Sequence, residues 1–308
     1  MTRTPDPGSR ARDVAERRGA SRLRVAVATL AWCTATLGLR SAFSLAMFYT
    51  ASLTRSPRRE RHMFVASVGR TLALRAADMG TMTEVFFGRH YDLDRAPRQA
   101  AAFHAYARSV AAPLIIDCGA NIGLSAVWFR HRFPTAAIYA IEPAQENVAL
   151  MQQNIRGLAD IHLVSGAVWH EPAMMAFDYR DDNPPGAQLA ASGERQVRCY
   201  AIAEIIEMAG GRDPLIVKID IEGAERGLFS GNTDWVKRTK LIIIETHDWL
   251  FPFQGSSLPF WLCMARERFD IVPIDANIFC FNRNLATRPD RAVSDAPPAE
   301  VPAAGAPV

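Results

Sequence analysis

LIIDCGANIGLSAVWFRHRFPTAAIYAIEP, residues 114–143, reads as a strand, a glycine turn, a helix and a second strand that ends in an acid. Leu114, Ile115 and Ile116 form an apolar run without alternation, the pattern of a strand covered on both faces in a parallel sheet. Asp117 closes that strand. Gly119 and Gly123 bracket a turn into a run whose apolar residues, Ile122, Ala126, Val127 and Phe129, are spaced for one face of a helix that Pro134 ends. The next apolar run, 138–141, stops at Glu142 and Pro143.

A glycine turn at a helix N-terminus lets backbone N–H groups approach a ligand, and an acid ending the second strand can accept hydrogen bonds from ribose hydroxyls. The dinucleotide fingerprint requires glycine at its first, third and sixth places; counted from Gly119 these hold Gly119, Asn121 and Leu124, so that pattern fails. A nicotinamide-dependent oxidoreductase is disfavoured accordingly. An adenosyl ligand without a pyrophosphate does not need the third glycine. Asp117, Gly119, Ala120, Asn121, Gly123 and Glu142 are therefore the candidate cofactor-binding set.

At 308 residues the chain suits one α/β domain with appendages. Its formal charge of +3 is small and its arginines crowd ahead of residue 70, so no nucleic-acid footprint marks the core. Five scattered cysteines without a C-x-x-C pair read as buried, reduced thiols of a cytosolic domain. Residues 1–24 carry seven arginines against three acids and no apolar periodicity, the composition of a disordered basic arm. Residues 25–53 are predominantly apolar but broken by Arg40, which at mid-bilayer would cost roughly 2.5–3.5 kcal/mol. Two readings stay open for residues 25–62, an apolar helical segment packed on the domain or one attached to a membrane, with residues 56–62 as a charged linker. The catalytic domain is expected over 63–284, followed by a disordered Ala- and Pro-rich tail over 285–308. The expected location is cytoplasmic, with membrane association through residues 25–53 undecided.

Within the domain, residues 63–91 read as two short strands and a helix start near Thr81 or Thr83, and 92–110 as an amphipathic helix. A helix over 144–155 leads to a third parallel strand, 161–164. The turn at 165–169 then lies on the ligand edge and can place Ala167 and Val168 beside an adenine, or bury both as core. Strands at 174–177 and 197–200 flank a polar loop, 181–193. A fourth parallel strand, 215–219, carries the second informative cluster, KIDIEGAE at 218–225, in which alternation puts Lys218 and Asp220 on one side and Glu222 in the following loop. The fifth strand, 241–245, ends in Glu245, Thr246, His247 and Asp248. A helix over 258–268 and an antiparallel pair, 269–274 and 277–281, close the domain.

Taken together, DCGANIG at 117–123, AIEP at 140–143, KIDIEGAE at 218–225 and IIETHD at 243–248 resemble the FkbM-type methyltransferase family over about residues 74–281. The resemblance implies the class I methyltransferase fold, a Rossmann-like, mostly parallel seven-stranded sheet of order 3-2-1-4-5-7-6, here with an N-terminal helical extension. It implies methyl transfer from S-adenosyl-L-methionine, usually to a hydroxyl oxygen of a sugar, glycan or natural product. Glu142 takes the place of the ribose-binding acid. In an open α/β sheet the ligand lies beyond the carboxyl ends of the strands, so Asp117, Glu142, Asp220 and Glu245 should share one crevice. His247 and Asp220 are the candidate bases for a hydroxyl acceptor, Glu222 and Glu245 would bind it or orient the base, and Lys218 would pair with a carboxylate. Each also has a structural reading, Lys218 as a buried ion-pair partner and His247 as a hydrogen-bonded loop residue. No metal site is assigned; a divalent cation among the carboxylates is the lesser reading, and an idle membrane-associated scaffold of the same fold is the alternative to an enzyme.

Overall fold

Alternation decides which layer each strand residue meets. The computed structural model describes residues 40, 41, 43–45, 47, 60–178, 188–190 and 195–286. An antiparallel hairpin comes first, β1 (Arg61–Val65) and β2 (Arg70–Leu74). Helix α1 (Met79–Met82) runs into a wider π-helical turn, Thr83–Phe87, and α2 (Pro97–Ser109) follows. The quoted stretch supplies β3 (Leu114–Cys118), α3 (Leu124–Arg132) and β4 (Ala137–Glu142), with α4 (Gln145–Asn154) and β5 (Ile161–Ser165) beyond it. Then come β6 (Ala167–Trp169), β7 (Ala173–Asp178), β8 (Gln188–Ala190), β9 (Arg195–Ala201) and α5 (Ile202–Met208). The remainder is β10 (Pro214–Ile219), α6 (Glu225–Leu228), α7 (Asp234–Arg238), β11 (Leu241–Glu245), α8 (Leu258–Arg266), β12 (Phe269–Ile274) and β13 (Asn277–Asn282).

Seven of these strands form one sheet in the order β12-β13-β11-β10-β3-β4-β5. Numbered along the chain and read from the other edge, that is 3-2-1-4-5-7-6, parallel except for β13, which is antiparallel to both neighbours. This is the class I methyltransferase sheet. Ile115, Ile216 and Ile243 face α2, α3 and α4 in one apolar cluster, whereas Leu114, Ile116, Val217 and Ile244 face α5, α7 and α8 in the other. The unbroken apolar runs of β3, β10 and β11 are thereby explained, since both faces are covered. A smaller four-stranded sheet, β6-β9-β7-β8, branches off after β5.

Several boundaries differ from the sequence reading for local reasons. The charged linker expected over 56–62 gives way to β1 at Arg61, where a buried arginine occupies a core-facing position and hides the alternation Arg61, Met63, Val65. Helix α2 starts at Pro97 instead of Asp92, because the Asp92 side chain accepts from Asp94 N and sets a short 3-10 turn before proline takes the first helical position. Helix α8 ends at Arg266.

The described part of residues 40–47 is helical and packs on the hairpin. Leu45 joins the core, Arg40 lies 3.8 Å over the Phe64 ring, and the hydroxyls of Ser44 and Ser41 accept from Phe64 N and Ala66 N at 2.8 Å each. Among the described residues no helix is long and apolar enough to cross a membrane. The basic arm, most of residues 25–59, the 181–193 loop apart from β8, and the tail from 287 lie outside the described residues, as does Cys33. Cys118, Cys199, Cys263 and Cys280 are buried and unpaired, as expected.

Candidate active site

Parallel register sets Lys218 of β10 beside Asp117 of β3, both on the sheet face that carries α3. The Lys218 ammonium is 2 % exposed and lies 3.3 Å from Asp117 Oδ1 and 3.5 Å from Asp220 Oδ2, while it donates to the Gly119 carbonyl at 2.7 Å. Burial by itself would lower the Lys218 pKa, but Tyr91, Asp117 and Asp220 around it outweigh that and hold it well above the ordinary lysine value. Asp117 is fully buried and its other oxygen accepts from Ser125 Oγ at 2.6 Å. Lys218 thus fixes the end of β3 and the first carbonyl of the glycine turn together.

The turn itself is shaped by a close approach. Gly119 has φ +76°, and a Cβ there would overlap the Asp220 carbonyl oxygen, so only glycine lets the turn sit against the end of β10. Gly119 N and Ala120 N both donate to Ile141 O, and Asn121 N donates to Glu142 Oε2 at 2.9 Å. Glu142 Oε1 accepts from Ala144 N and Asn147 Nδ2 at 3.1 and 3.0 Å. Burial raises the Glu142 carboxyl above its usual value in spite of these donors. From behind, Asn154 of α4 accepts from Ala73 N at 2.7 Å and donates to Ala73 O and Ile122 O, tying β2 to the turn.

The facing wall comes from the ends of β10 and β11. His247 is 2 % exposed, and its Nδ1 lies 2.8 Å from Oε1 of the fully buried Glu225 at the start of α6. Its Nε2 points the other way, 3.6 Å from Asp220 Oδ1 and 3.5 Å from Glu222 Oε2. Glu222 stands at φ +51°, a conformation uncommon outside glycine, and its Oε2 is buried without a hydrogen-bond partner. Burial, reinforced by Asp220, pushes the Glu222 and Glu245 carboxyls up to about 7. For His247 burial works downward, but the hydrogen bond and charge of Glu225, with Asp220 and Glu222, push it up to about 9.

Between these walls lies a cavity of about 220 Å³, lined by the 119–121 turn, Lys218, Asp220, Glu222, Glu245 and His247, and roofed by Thr81, Glu84, Val85 and Tyr91. A second cavity of about 380 Å³ meets it at Glu222 and presents Trp169, Phe251, Arg226, Ser230 and Gln254. The Asn121 Oδ1 atom is buried in the first wall with no partner of its own.

The Methyltransferase FkbM domain matches residues 117–270, half of the chain. The chain belongs to the FkbM methyltransferase family. A fungal relative, Methyltransferase 1 of Beauveria bassiana (strain ARSEF 2860), is 26 % identical over 149 residues, covering 39 % of this chain and 58 % of its own length. The chain therefore spans little more than half of that curated relative. Among solved structures it is similar to precorrin-6y C5,15-methyltransferase from Geobacter metallireducens GS-15, at 13 % identity and TM-score 0.34 over 59 % of this chain and 84 % of that one. A methyltransferase from Geobacter sulfurreducens is similar at 15 % identity and TM-score 0.32, over 66 % and 88 % of the two chains.

In this member of the family a crevice lies at the expected strand ends, and part of the expected set lines it. Lys218, Asp220, Glu222, Glu245, His247, Gly119, Ala120 and Asn121 converge on it. Asp117 lies behind Lys218, and Gly123 is packed against Met151, where a Cβ would come within 2.8 Å of its Cγ. Glu142 is buried beside the turn, where it accepts from Asn121 N, and does not line this cavity. Ala167 and Val168 belong to β6 of the small sheet, and both are buried, Val168 within the apolar core under α5. The pleat turns them inward, the outcome that left them as core. Glu225, in the first turn of α6, is also the hydrogen-bond partner of His247, a role no motif signals. Tyr91, Glu84 and Ser125 carried no motif signal; their place in the roof and wall follows from tertiary packing.

Proposed function

We propose that the protein transfers the methyl group of S-adenosylmethionine to a hydroxyl oxygen of a sugar, glycan or natural-product acceptor. The observation that carries the reading is the orphaned Asn121 Oδ1 beside the Gly119 cradle, an unmet hydrogen-bond acceptor in the wall opposite a carboxylate-rich one. The residues fit such a cofactor. Asn121 would accept from its amino or hydroxyl groups, and Glu142 Oε2, holding one donor only, keeps an acceptor position for a ribose hydroxyl. The bound sulfonium supplies an activated methyl group with a good leaving group.

The chain's own residues then position the acceptor and take its proton. An oxygen nucleophile gains positive charge as its new bond forms, so a nearby base lowers the barrier. Glu222 and Glu245, at about 7, exchange protons readily at neutral pH, whereas His247, at about 9, keeps its own. The base is therefore drawn from the carboxylates Asp220, Glu222 and Glu245, with His247 as their counter-charge. Trp169 and Phe251 in the adjoining cavity offer aromatic faces to a sugar ring, with Arg226 and Gln254 as hydroxyl partners.

Calorimetric titration with S-adenosylmethionine, S-adenosylhomocysteine and NAD tests the cofactor assignment. Binding of the two adenosyl ligands but not NAD, lost in Glu142→Ala, is the expected result. A folded protein that binds neither adenosyl ligand would overturn it, and retention of the biological role by a non-binding Glu142→Ala variant would favour a scaffold.

A further inference from the structure

We infer that Asp220, Glu222 and His247 form a binding site for one divalent cation, of the manganese or magnesium type, at the mouth of the crevice. Their ligand atoms all lie within 4.8 Å of one another. The Nε2 separations of 3.6 Å from Asp220 Oδ1 and 3.5 Å from Glu222 Oε2 are long for direct hydrogen bonds. They exceed by a few tenths of an ångström the spacing of neighbouring ligands on one octahedral ion, a gap that the partly exposed carboxylates can close. Clustered acids alone would not make a site. The deciding observation is His247, which is 2 % exposed and directs Nε2 between the two carboxylates, where a cation would displace the proton that Nε2 carries in the metal-free protein.

The other ring nitrogen supports the same assignment. Metal-bound histidines donate their second N–H to a carboxylate or carbonyl, which fixes the ring and makes the free nitrogen a better ligand. Glu225 fills that role at 2.8 Å, is fully buried, and is itself held by Gly223 N at 3.2 Å. Glu222 contributes a buried oxygen with no other partner. Two carboxylates and one imidazole suit manganese or magnesium better than a soft ion, and leave coordination places open toward the cavity. Those places would hold the acceptor's hydroxyl oxygens and make them more acidic. This use rests on the methyl-transfer reading; the cation site does not.

The test is titration of Mn²⁺ into the full-length, chelator-stripped protein without cofactor or acceptor, followed by calorimetry and by the electron paramagnetic resonance of free Mn²⁺. One ion per chain is expected, with affinity reduced at least about tenfold in Asp220→Asn and in Glu222→Gln, whose partly exposed side chains can be changed without unfolding the domain. Glu225→Gln, a positioning change, should weaken binding by about 10–100-fold while the circular dichroism spectrum is kept. Glu207→Gln, on the exposed side of α5 and away from both cavities, should bind Mn²⁺ like the parent protein. Absence of stoichiometric binding by the folded protein, or binding that survives both the Asp220 and Glu222 substitutions, would overturn the site. Failure of adenosyl ligands to bind while Mn²⁺ does would instead count against the cofactor assignment alone.

Discussion

Replacing Lys218 by methionine keeps an unbranched side chain one atom shorter and removes one charge from a place that solvent does not reach. In the parent protein that charge faces Asp117, 0 % exposed, at 3.3 Å and the partly exposed Asp220 at 3.5 Å. With an effective dielectric of about 20 the Asp117 contact alone amounts to about 5 kcal/mol of attraction, set against several kcal/mol of desolvation for each ion. The net value of the pair is therefore small, but breaking it is not. Asp117 would be left charged with Ser125 as its donor, and removal of one partner of a buried pair costs about 3–5 kcal/mol. For a domain of this size that lowers Tm by roughly 6–20 °C. Urea denaturation of Lys218→Met, Asp117→Asn and the double variant forms the appropriate cycle. The double variant should recover most of the loss, because neither charge remains to be desolvated. A loss below about 1 kcal/mol for Lys218→Met, or simple additivity in the double variant, would refute the claim that this pair is closed and mutually dependent. Adenosyl-ligand affinity should fall alongside, since the Gly119 carbonyl loses its donor.

Gly119→Ala should abolish adenosyl-ligand binding and lower the urea midpoint, because its methyl group collides with the Asp220 carbonyl and φ +76° strains any side chain; binding at parent affinity would contradict this. Asn154→Ala should cost about 2–4 kcal/mol, since it strands Ala73 N, Ala73 O and Ile122 O in the interior, and its effect is read by chemical denaturation. In chelator, stability should fall as pH rises. The Glu222 and Glu245 carboxyls, at about 7 against 4.5, and His247, at about 9 against 6.5, all bind protons more tightly when folded. Their contribution is complete below the unfolded values and is lost through about 7 for the acids and about 9 for the histidine, so a urea midpoint that rises from pH 6 to pH 9 would have the wrong sign.

Where the sequence imposes period and shape, it could be read directly. The apolar runs of β3, β10 and β11 need cover on both faces, and Gly119 opens a tight turn into a helix; both were legible in the residues, whereas the Asp220 carbonyl that excludes a methyl group at 119 was not. The acids at strand ends were legible because parallel strands deliver their carboxyl ends to one edge. Direction was harder. Ala167 and Val168 lie at the right edge but on a new strand whose pleat buries them, and Glu142 ends the right strand with its carboxylate already held by the turn and α4. The role of Glu225 toward His247 was hidden because its position at a helix start has a sufficient local explanation, whereas its partner is 22 residues away. Asn154 was passed over altogether, a single amide in a helix tail whose three contacts belong to two other segments.

The two serine hydroxyls on the β1 edge bear on where this protein can be cut. Phe64 N and Ala66 N face away from β2 and would otherwise present the bare backbone that recruits a strand from another molecule. Ser44 and Ser41 occupy those donors without extending the sheet, so the segment before the hairpin acts as a stopper against edge-to-edge pairing. A fragment begun at residue 56 would keep every crevice residue and lose that stopper. Its weakness would then be self-association at high concentration, and the shortest version that keeps the stopper begins at or before Arg40.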